Sequence, residues 1–208
     1  MKKILFFLAT VSLFVACSEN AITGRKQLAL FGEATLQQQA LTEYQSFLSQ
    51  NKVVNSSSNK DAEMVKRVGN RISKAITDYY TQKGLGSELN GYKWEFNLVD
   101  SKEVNAWCMP GGKVVVYTGL LGITQNEAAL AVVMGHEITH AVAHHGNERM
   151  SQGALAQGLE IVGNIATANN PKYNDPLNNI FAPTAQIPAL VPNSRNQEYE
   201  ADHLGLNF

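Results

Sequence analysis

Apolar residues recur at helical spacing in two stretches of the first half of the chain. The spacing predicts a helix over Glu33–Gln50 and a second helix over Asp61–Tyr80. Asp61 is the predicted N-cap of the second helix, because aspartate favours that position. Between the helices, Asn51–Lys60 holds three consecutive serines and is predicted to be a loop. The predicted core face of the second helix consists of Val65, Val68, Ile72, Ile76 and Tyr79.

The middle of the chain changes to a period of two. Trp94, Phe96 and Leu98 alternate with polar neighbours, which predicts a half-buried strand. The glycines that follow Pro110 predict a turn into a second strand over Lys113–Thr118. Three consecutive valines in that strand indicate burial on both faces. A small sheet among several helices predicts an α+β fold that is predominantly helical.

A third helix carries the strongest sequence signals. Thr124 and Glu127 have the spacing of a capping box, and the run Ala128–Ala143 is rich in helix formers. Gly146 is the predicted stop.

The last third of the chain contains a predicted helix, a loop and another helix. Ser151–Ala168 is the helix, and Asn169–Asn193 holds five of the six prolines. Such a long irregular segment is typical of a lid or a binding loop, so we expect it to gate a binding cleft. The last helix begins near Ser194, which has capping-box spacing to Gln197.

The first 16 residues are predicted to be a targeting segment and not part of the fold. Two lysines precede the apolar run Ile4–Ala16, which is shorter than the roughly 20 residues that span a bilayer. The segment Leu13–Cys17 resembles a bacterial lipobox, with Phe14 where leucine is usual. Residues 1–16 are then a lipoprotein signal peptide, Cys17 carries lipid, and residues 17–32 form a tether. An ordinary cleaved signal is the alternative.

Charge and cysteine usage exclude two classes of protein. The formal net charge is −1 at pH 7, and no basic stripe indicates a nucleic-acid partner. Lipidation of Cys17 would leave Cys108 as the remaining cysteine, so no disulfide framework is expected. Cys108 is predicted to be a small buried apolar residue.

The candidate chemistry begins with His136 and His140. Four residues apart on the third helix, they share one face, where two neutral imidazoles can bind a zinc ion. Zinc lowers the pKa of a bound water to about 7, so Glu137 beside them can accept its proton. The pattern predicts one zinc ion per subunit and Glu137 as general base. H-E-x-x-H also arises by chance, but small apolar flanking residues favour the metal site here.

Spacing alone does not identify the third zinc ligand. Ala143 and Gly146 stand where a metzincin needs glycine and histidine, so that class is excluded. Glu160 lies twenty residues after His140, at the thermolysin-like distance, and Glu198 lies on the last helix. Spacing leaves both glutamates as candidates.

Neighbouring residues favour Glu198. Arg195, Glu198 and Asp202 fall on one face of the last helix, and Asp202 could accept a hydrogen bond from a ligating histidine. A surface ion pair between Arg195 and Asp202 is the alternative interpretation. Glu160 has apolar neighbours and no acid one turn on.

Several segments, in the right order, resemble peptidase family M48, a group of bacterial envelope lipoproteins with mitochondrial and prenyl-protein-processing relatives. The resemblance implies a zincin-like fold over residues 33–208 with the ligands His136, His140 and Glu198 and the base Glu137. Similar members continue past the last helix, so this domain is either a fragment or lacks those helices. The matching segments are Thr23–Leu28, Asn105–Trp107, Pro110–Gly112, Gly119–Leu121, Gly135–His140, Ser194–Arg195 and Glu198–Asp202.

The resemblance also implies a substrate and a location. An edge strand at Asn105, Ala106 and Trp107 would pair with extended peptide, although Trp107 alone favours a core position. The expected activity is hydrolysis of unfolded or misassembled envelope proteins at a bacterial outer membrane, on its periplasmic side. Arg195 would stabilise the oxyanion. The alternatives are a chaperone-like assembly factor with little proteolysis and a zinc-stabilised structural lipoprotein.

Two further histidines, His144 and His145, follow the motif. They are predicted to be solvent-facing residues near the C-terminus of the same helix, and not ligands.

Overall fold

The computed structural model describes residues 17–155 and 194–208, so Glu160 and Asn169–Asn193 lie outside the described residues. A 3₁₀ turn over Gly86–Leu89 precedes the sheet. In chain order the elements are β1 (Cys17–Glu19), β2 (Lys26–Leu28), α1 (Glu33–Gln50), α2 (Lys60–Gln82), β3 (Glu95–Val99), β4 (Ala106–Met109), β5 (Lys113–Tyr117), α3 (Thr118–Thr124), α4 (Glu127–Val142), α5 (residues 145–155) and α6 (Arg195–Gly205).

The three longest strands form one mixed sheet in the order β3-β5-β4. β5 is central, parallel to β3 and antiparallel to β4. Val114, Val115 and Val116 in β5 are fully buried, because helices or side chains cover both faces of the sheet. Among the described strands, β4 pairs with β5 alone and is therefore an edge strand.

Two helices pack their apolar faces against this sheet. Helix α2 buries Val65, Val68, Ile72 and Ile76, while Tyr79 is only partly buried. Helix α4 joins the same core cluster, and the resulting arrangement confirms the predicted α+β, mainly helical, zincin-like class. The residues that α4 contributes are Leu130, Met134, Ile138 and Val142.

Two predicted helix starts are wrong. Asn59, and not Asp61, caps α2, since its side chain accepts hydrogen bonds from the backbone N–H of Asp61 and of Ala62. Asn126 caps α4 by accepting from the N–H of Ala129. Thr124 instead ends the short helix α3, so the predicted capping box with Glu127 does not form. In both cases a neighbouring polar residue offered an equally good spacing.

The predicted end of the third helix is also wrong. α4 ends at Val142, and His144 adopts the left-handed conformation with φ of 57°. Helix α5 then begins at residue 145, so Gly146 lies inside a helix and does not stop one. His145 is consequently carried by a different helix from His140.

Helices α4 and α6 cross with their backbones in contact. A Cβ on Gly135 would lie 2.7 Å from the carbonyl oxygen of Gly205, and a Cβ on Gly205 would lie 2.9 Å from the nitrogen of His136. Only glycine fits on either side of this crossing. At its other end α6 begins at Ser194, which forms the capping box with Gln197 that the sequence predicted.

The N-terminal hairpin, residues 17–28, lies against the end of α4. β1 and β2 are antiparallel, with Cys17 opposite Leu28. The side-chain amides of Asn20 and Gln27 both donate to the carbonyl oxygen of Ala143, at 2.8 and 3.4 Å. In the part of the chain that the structure describes, no helix is both long and apolar enough to cross a membrane.

Candidate metal centre

Three side chains from α4 and α6 converge on one point. The Nε2 atoms of His136 and His140 lie 3.1 Å apart. The Glu198 carboxylate faces both, with Oε2 3.4 Å from His136 Nε2 and Oε1 3.7 Å from His140 Nε2. One ligand atom from each residue lies within 4.8 Å of the others, which is the arrangement of a three-ligand metal site.

The donor set fits zinc. Two imidazole nitrogens and one carboxylate oxygen are ligands that zinc uses in hydrolytic sites, where a fourth position stays open. Glu198 Oε1 is buried without a hydrogen-bond partner, as expected of an oxygen directed at a cation. Burial, reinforced by His145 and His136, lowers the pKa of His140 to about 3. His140 is therefore neutral, the form that binds metal.

Glu137 lies beside the ligands and does not belong to the converging set. It is partly buried, and the loss of solvation raises the pKa of its carboxyl to about 7. The charge on His136 lowers this pKa in part, and that on Glu198 raises it further.

Both ligand histidines have their outward nitrogens held. His136 Nδ1 lies 2.8 Å from Asp202 Oδ1, one turn after Glu198 on α6. His140 Nδ1 lies 2.8 Å from His145 Nδ1, and His145 Nε2 lies 2.8 Å from Glu200 Oε2. Such outward hydrogen bonds fix the ring orientation of metal-binding histidines.

The prediction that His145 faces solvent is wrong, since His145 has no exposed surface. The break after α4 returns the chain into the core at residue 145, whereas a continuous helix would have carried this histidine outward. His144 is also mostly covered, and its Nδ1 lies 3.0 Å from Glu33 Oε2.

The hairpin supplies an arginine to this region. Arg25 Nε donates to Glu200 Oε1 at 2.7 Å, and its two terminal nitrogens donate to the two oxygens of Glu148 at 2.7 Å each. Glu148 Oε2 also accepts from Gln197 Nε2 at 2.6 Å. Burial would raise the pKa of Glu148, but the hydrogen bonds from Arg25 and Gln197 hold it below the ordinary value of 4.5.

Arg195 does not join this arrangement. It is exposed on the first turn of α6, whereas Asp202 contacts His136. Arg149 of α5 is the cation whose charge acts on both Glu137 and Glu198, and burial lowers its pKa. A positive charge near the ligands thus comes from a residue that the sequence did not single out.

The predicted substrate strand packs against α4, the helix that carries His136 and His140. Asn105 is exposed just before β4, and Ala106 is buried as its first residue. Trp107 packs its ring edge-on against Phe47, with ring centres 5.0 Å apart, and donates from Nε1 to the hydroxyl of Tyr117. The partly buried Trp107 side chain therefore packs against a small core cluster, while its main chain lies in an edge strand.

A cavity of about 270 Å³ opens beside His140. Its walls come from α1, the end of β4 and the start of α5, and they include Phe47, Met109 and Arg149. Cys108 also lines it, and burial raises the pKa of the Cys108 thiol. This thiol is not an activated nucleophile.

Sequence reasoning missed His145, Glu200, Glu148 and Arg25. The available signals were weak: a second histidine five residues after His140, a second acid two after Glu198, and one arginine in Thr23–Leu28. Sequence separations of 123 and 175 residues between Arg25 and its partners exclude any periodicity argument.

Comparison with known proteins extends this description. The model of "Peptidase family M48" matches residues 66–208. The mitochondrial metalloendopeptidase OMA1 of Bos taurus is 31% identical over 209 residues, covering 97% of this chain and 38% of the relative. That of Arabidopsis thaliana is 36% identical over 120 residues, 58% of this chain and 23% of the relative. The beta-barrel assembly-enhancing protease of Escherichia coli is 31% identical over 140 residues, 63% and 28% respectively.

These comparisons correct one prediction. The chain spans only about a quarter to two fifths of these relatives. The OMA1 proteins of plant, yeast and cattle are mitochondrial, so the predicted location at the periplasmic side of a bacterial outer membrane is wrong. A short apolar stretch after a basic start is common to targeting segments for several compartments, so it could not identify the membrane.

Proposed function

Because the chain belongs to peptidase family M48, whose members are zinc-dependent, we propose that it is a zinc-dependent endopeptidase that cleaves unfolded or misassembled proteins. The observation that carries the proposal is the convergence of His136, His140 and Glu198, with Glu137 beside them. Names of the mitochondrial relatives support endopeptidase activity. A role connected with the assembly of β-barrel proteins is a narrower proposal, suggested by the name of the Escherichia coli relative.

The proposed ligands of one zinc ion per subunit are His136 Nε2, His140 Nε2 and a carboxylate oxygen of Glu198. Zinc bound there would polarise the scissile carbonyl and acidify the attacking water. Asp202 and His145 contact the Nδ1 atoms of His136 and His140. These hydrogen bonds orient both rings so that their Nε2 atoms face the proposed zinc position.

Glu137 is the proposed general base. Its carboxyl has a pKa near 7, so it can accept a proton from water and return it to the leaving amine near neutral pH. Partial burial keeps bulk water from competing for the carboxylate. Arg149 supplies a positive charge that acts on Glu137 and Glu198, and it is a better candidate than the exposed Arg195 for stabilising the oxyanion.

The proposed peptide-binding element is β4, with the preceding Asn105. An extended peptide that adds to a sheet edge is held through main-chain hydrogen bonds, which require no particular side chains. Unfolded segments would therefore be favoured over folded proteins. The adjacent cavity would accept one substrate side chain next to His140.

Lipid attachment at Cys17 stays a prediction. Cys17 begins β1 and is the first residue that the structure describes. If Cys17 carries the anchor, Cys17→Ser should move the full-length protein from the membrane fraction to the soluble fraction. Unchanged fractionation would remove this proposal and leave the peptidase proposal intact.

A casein assay with and without a zinc chelator tests the proposed activity. Casein should be digested, the chelator should stop digestion, and Glu137→Gln should abolish it while near-stoichiometric zinc remains bound. A chain that binds casein and zinc without turnover would favour the chaperone-like alternative. Loss of zinc in the Glu137→Gln protein would contradict the separation of base from ligands.

A further inference from the structure

The N-terminal hairpin precedes residues 66–208, which the family model matches, yet it contributes to the surroundings of the metal centre. Arg25 in this hairpin uses three nitrogens to bind two carboxylates on two different helices, Glu148 on α5 and Glu200 on α6. Its side chain is only 22% exposed, and the Glu148 and Glu200 side chains are 6% and 14% exposed. A pair of acids brought together at this depth needs such a cation.

A series of hydrogen bonds runs from Arg25 through Glu200 and His145 to His140, and it has a defined direction. A carboxylate can only accept, so His145 Nε2, 2.8 Å from Glu200 Oε2, carries a proton. A neutral His145 has a single N–H, and the geometry directs it to Glu200. His145 Nδ1 therefore accepts a hydrogen bond, and His140 Nδ1, 2.8 Å away, donates it.

This series of hydrogen bonds leaves His140 in the form that a metal requires. With its proton on Nδ1, neutral His140 keeps the lone pair on Nε2, the nitrogen that faces His136 and Glu198. If donor and acceptor were exchanged in any of these hydrogen bonds, the proton of His140 would lie on Nε2 and would block metal binding there. The oxygen of Glu200 that His145 needs is held in place because Arg25 binds the other one.

A second set of contacts runs from Arg25 to the third ligand. Glu148 binds Arg25 with both oxygens and also accepts from Gln197 Nε2. Gln197 is 1% exposed, takes part in the capping box that starts α6 and directly precedes Glu198. Arg25 thus contacts, through one intermediate carboxylate each, the residues that hold His140 and Glu198.

We propose that Arg25 is a positioning residue for the metal centre, acting on His140 through Glu200 and His145 and on Glu198 through Glu148 and Gln197. The inference rests on the proposed zinc function and adds to it a residue that precedes the range of the family model. This positioning role requires a guanidinium, whose three nitrogens can donate to two carboxylates at once. A lysine, with a compact ammonium, cannot occupy both carboxylates in the same way.

The test measures zinc affinity by chelator competition and the visible spectrum of the Co²⁺-loaded protein, using full-length chains. Arg25→Lys keeps the charge, and Glu200→Gln keeps the shape but removes one accepting oxygen. Each should weaken zinc binding by about 10–100-fold and alter the Co²⁺ bands. Arg67→Lys is the matched control, because Arg67 pairs with Glu63 and Glu127 on an exposed surface.

Wild-type zinc affinity and Co²⁺ bands in both variants would overturn the inference. The inference would also fail if the variants lowered the melting temperature of the metal-free protein without changing zinc affinity. Arg25 would then stabilise the fold and have no role in positioning the ligands. Wild-type zinc affinity in Arg25→Lys alone would show that the guanidinium geometry is unnecessary, and it would contradict the mechanism. A wild-type protein that binds no zinc would instead overturn the proposed function itself.

Discussion

The two ligand histidines sit one helical turn apart but have very different supports. The His136 side is open: its partner Asp202 has a side chain that is 71% exposed, and Asp202 lies on the same helix as Glu198. The His140 side is closed: His145 is fully buried, and the contacts behind it involve α5, α6 and the hairpin. One support is local and replaceable by water, whereas the other depends on the assembled fold.

This difference explains which parts of the site the sequence could predict. Asp202 follows Glu198 by four residues, so helical periodicity alone places the two carboxylates on one face. His145 reaches His140 only because the chain leaves α4 through a left-handed residue and starts a new helix. The sequence placed the stop at Gly146, two residues after the left-handed His144, so His145 was predicted to lie on the same helix as His140.

The first prediction tests the point where both sides meet. Glu198→Ala removes the carboxylate that faces both imidazoles, so zinc affinity should fall by more than the roughly 100-fold upper limit for outer partners, and activity should vanish. Equilibrium dialysis with zinc measures this. Glu160→Ala is the control and should retain zinc. Loss of zinc in the control alone would reverse the assignment of the ligand.

The second prediction sets the two sides against each other. His145→Ala should weaken zinc binding toward the upper end of the 10–100-fold range, because it leaves buried His140 and Glu200 without their partner. Asp202→Ala should lie near the lower end, because water can reach His136. Chelator competition on both variants measures the ratio. Equal losses would mean that burial does not distinguish the two supports.

The third prediction perturbs the geometry that both sides share. Gly205→Ala places a methyl group against the backbone of His136, so α4 and α6 must separate. Overpacking of this kind costs about 1–3 kcal/mol of unfolding free energy, and zinc affinity should fall a few-fold. Urea denaturation with and without zinc separates the two effects. Gly86→Ala, where a Cβ meets no atom within 4 Å, is the control.

The fourth and smallest effect concerns acid stability on the closed side. The pKa of Glu148 is lower in the folded protein than its ordinary 4.5, so its contribution to stability is present above that value. The contribution is lost as pH falls through the folded pKa. The melting temperature of the metal-free protein should therefore decline below pH 4.5 more steeply in wild type than in Arg25→Gln. Parallel declines would show that the pair is not coupled to folding.

Other parts of the fold divide along the same line. The bounds of α1, the buried strand β5 and the capping box of α6 follow from local pattern, and the structure has them as predicted. The caps of α2 and α4 were misplaced by two residues because Asn59 and Asn126 each compete with a nearby polar residue. Arg25 could not be placed, since its partners are more than a hundred residues away in sequence.

The glycine crossing of α4 and α6 has a consequence for the dimensions of the site. In most helix pairs the separation depends on interlocking side chains, whose rotamers can exchange and whose volumes vary among homologues. Here two main chains touch at Gly135 and Gly205, one residue before His136. The distance between the helices that carry the three proposed ligands is therefore set at this crossing by contact between peptide groups of fixed size, and not by the volumes of side chains.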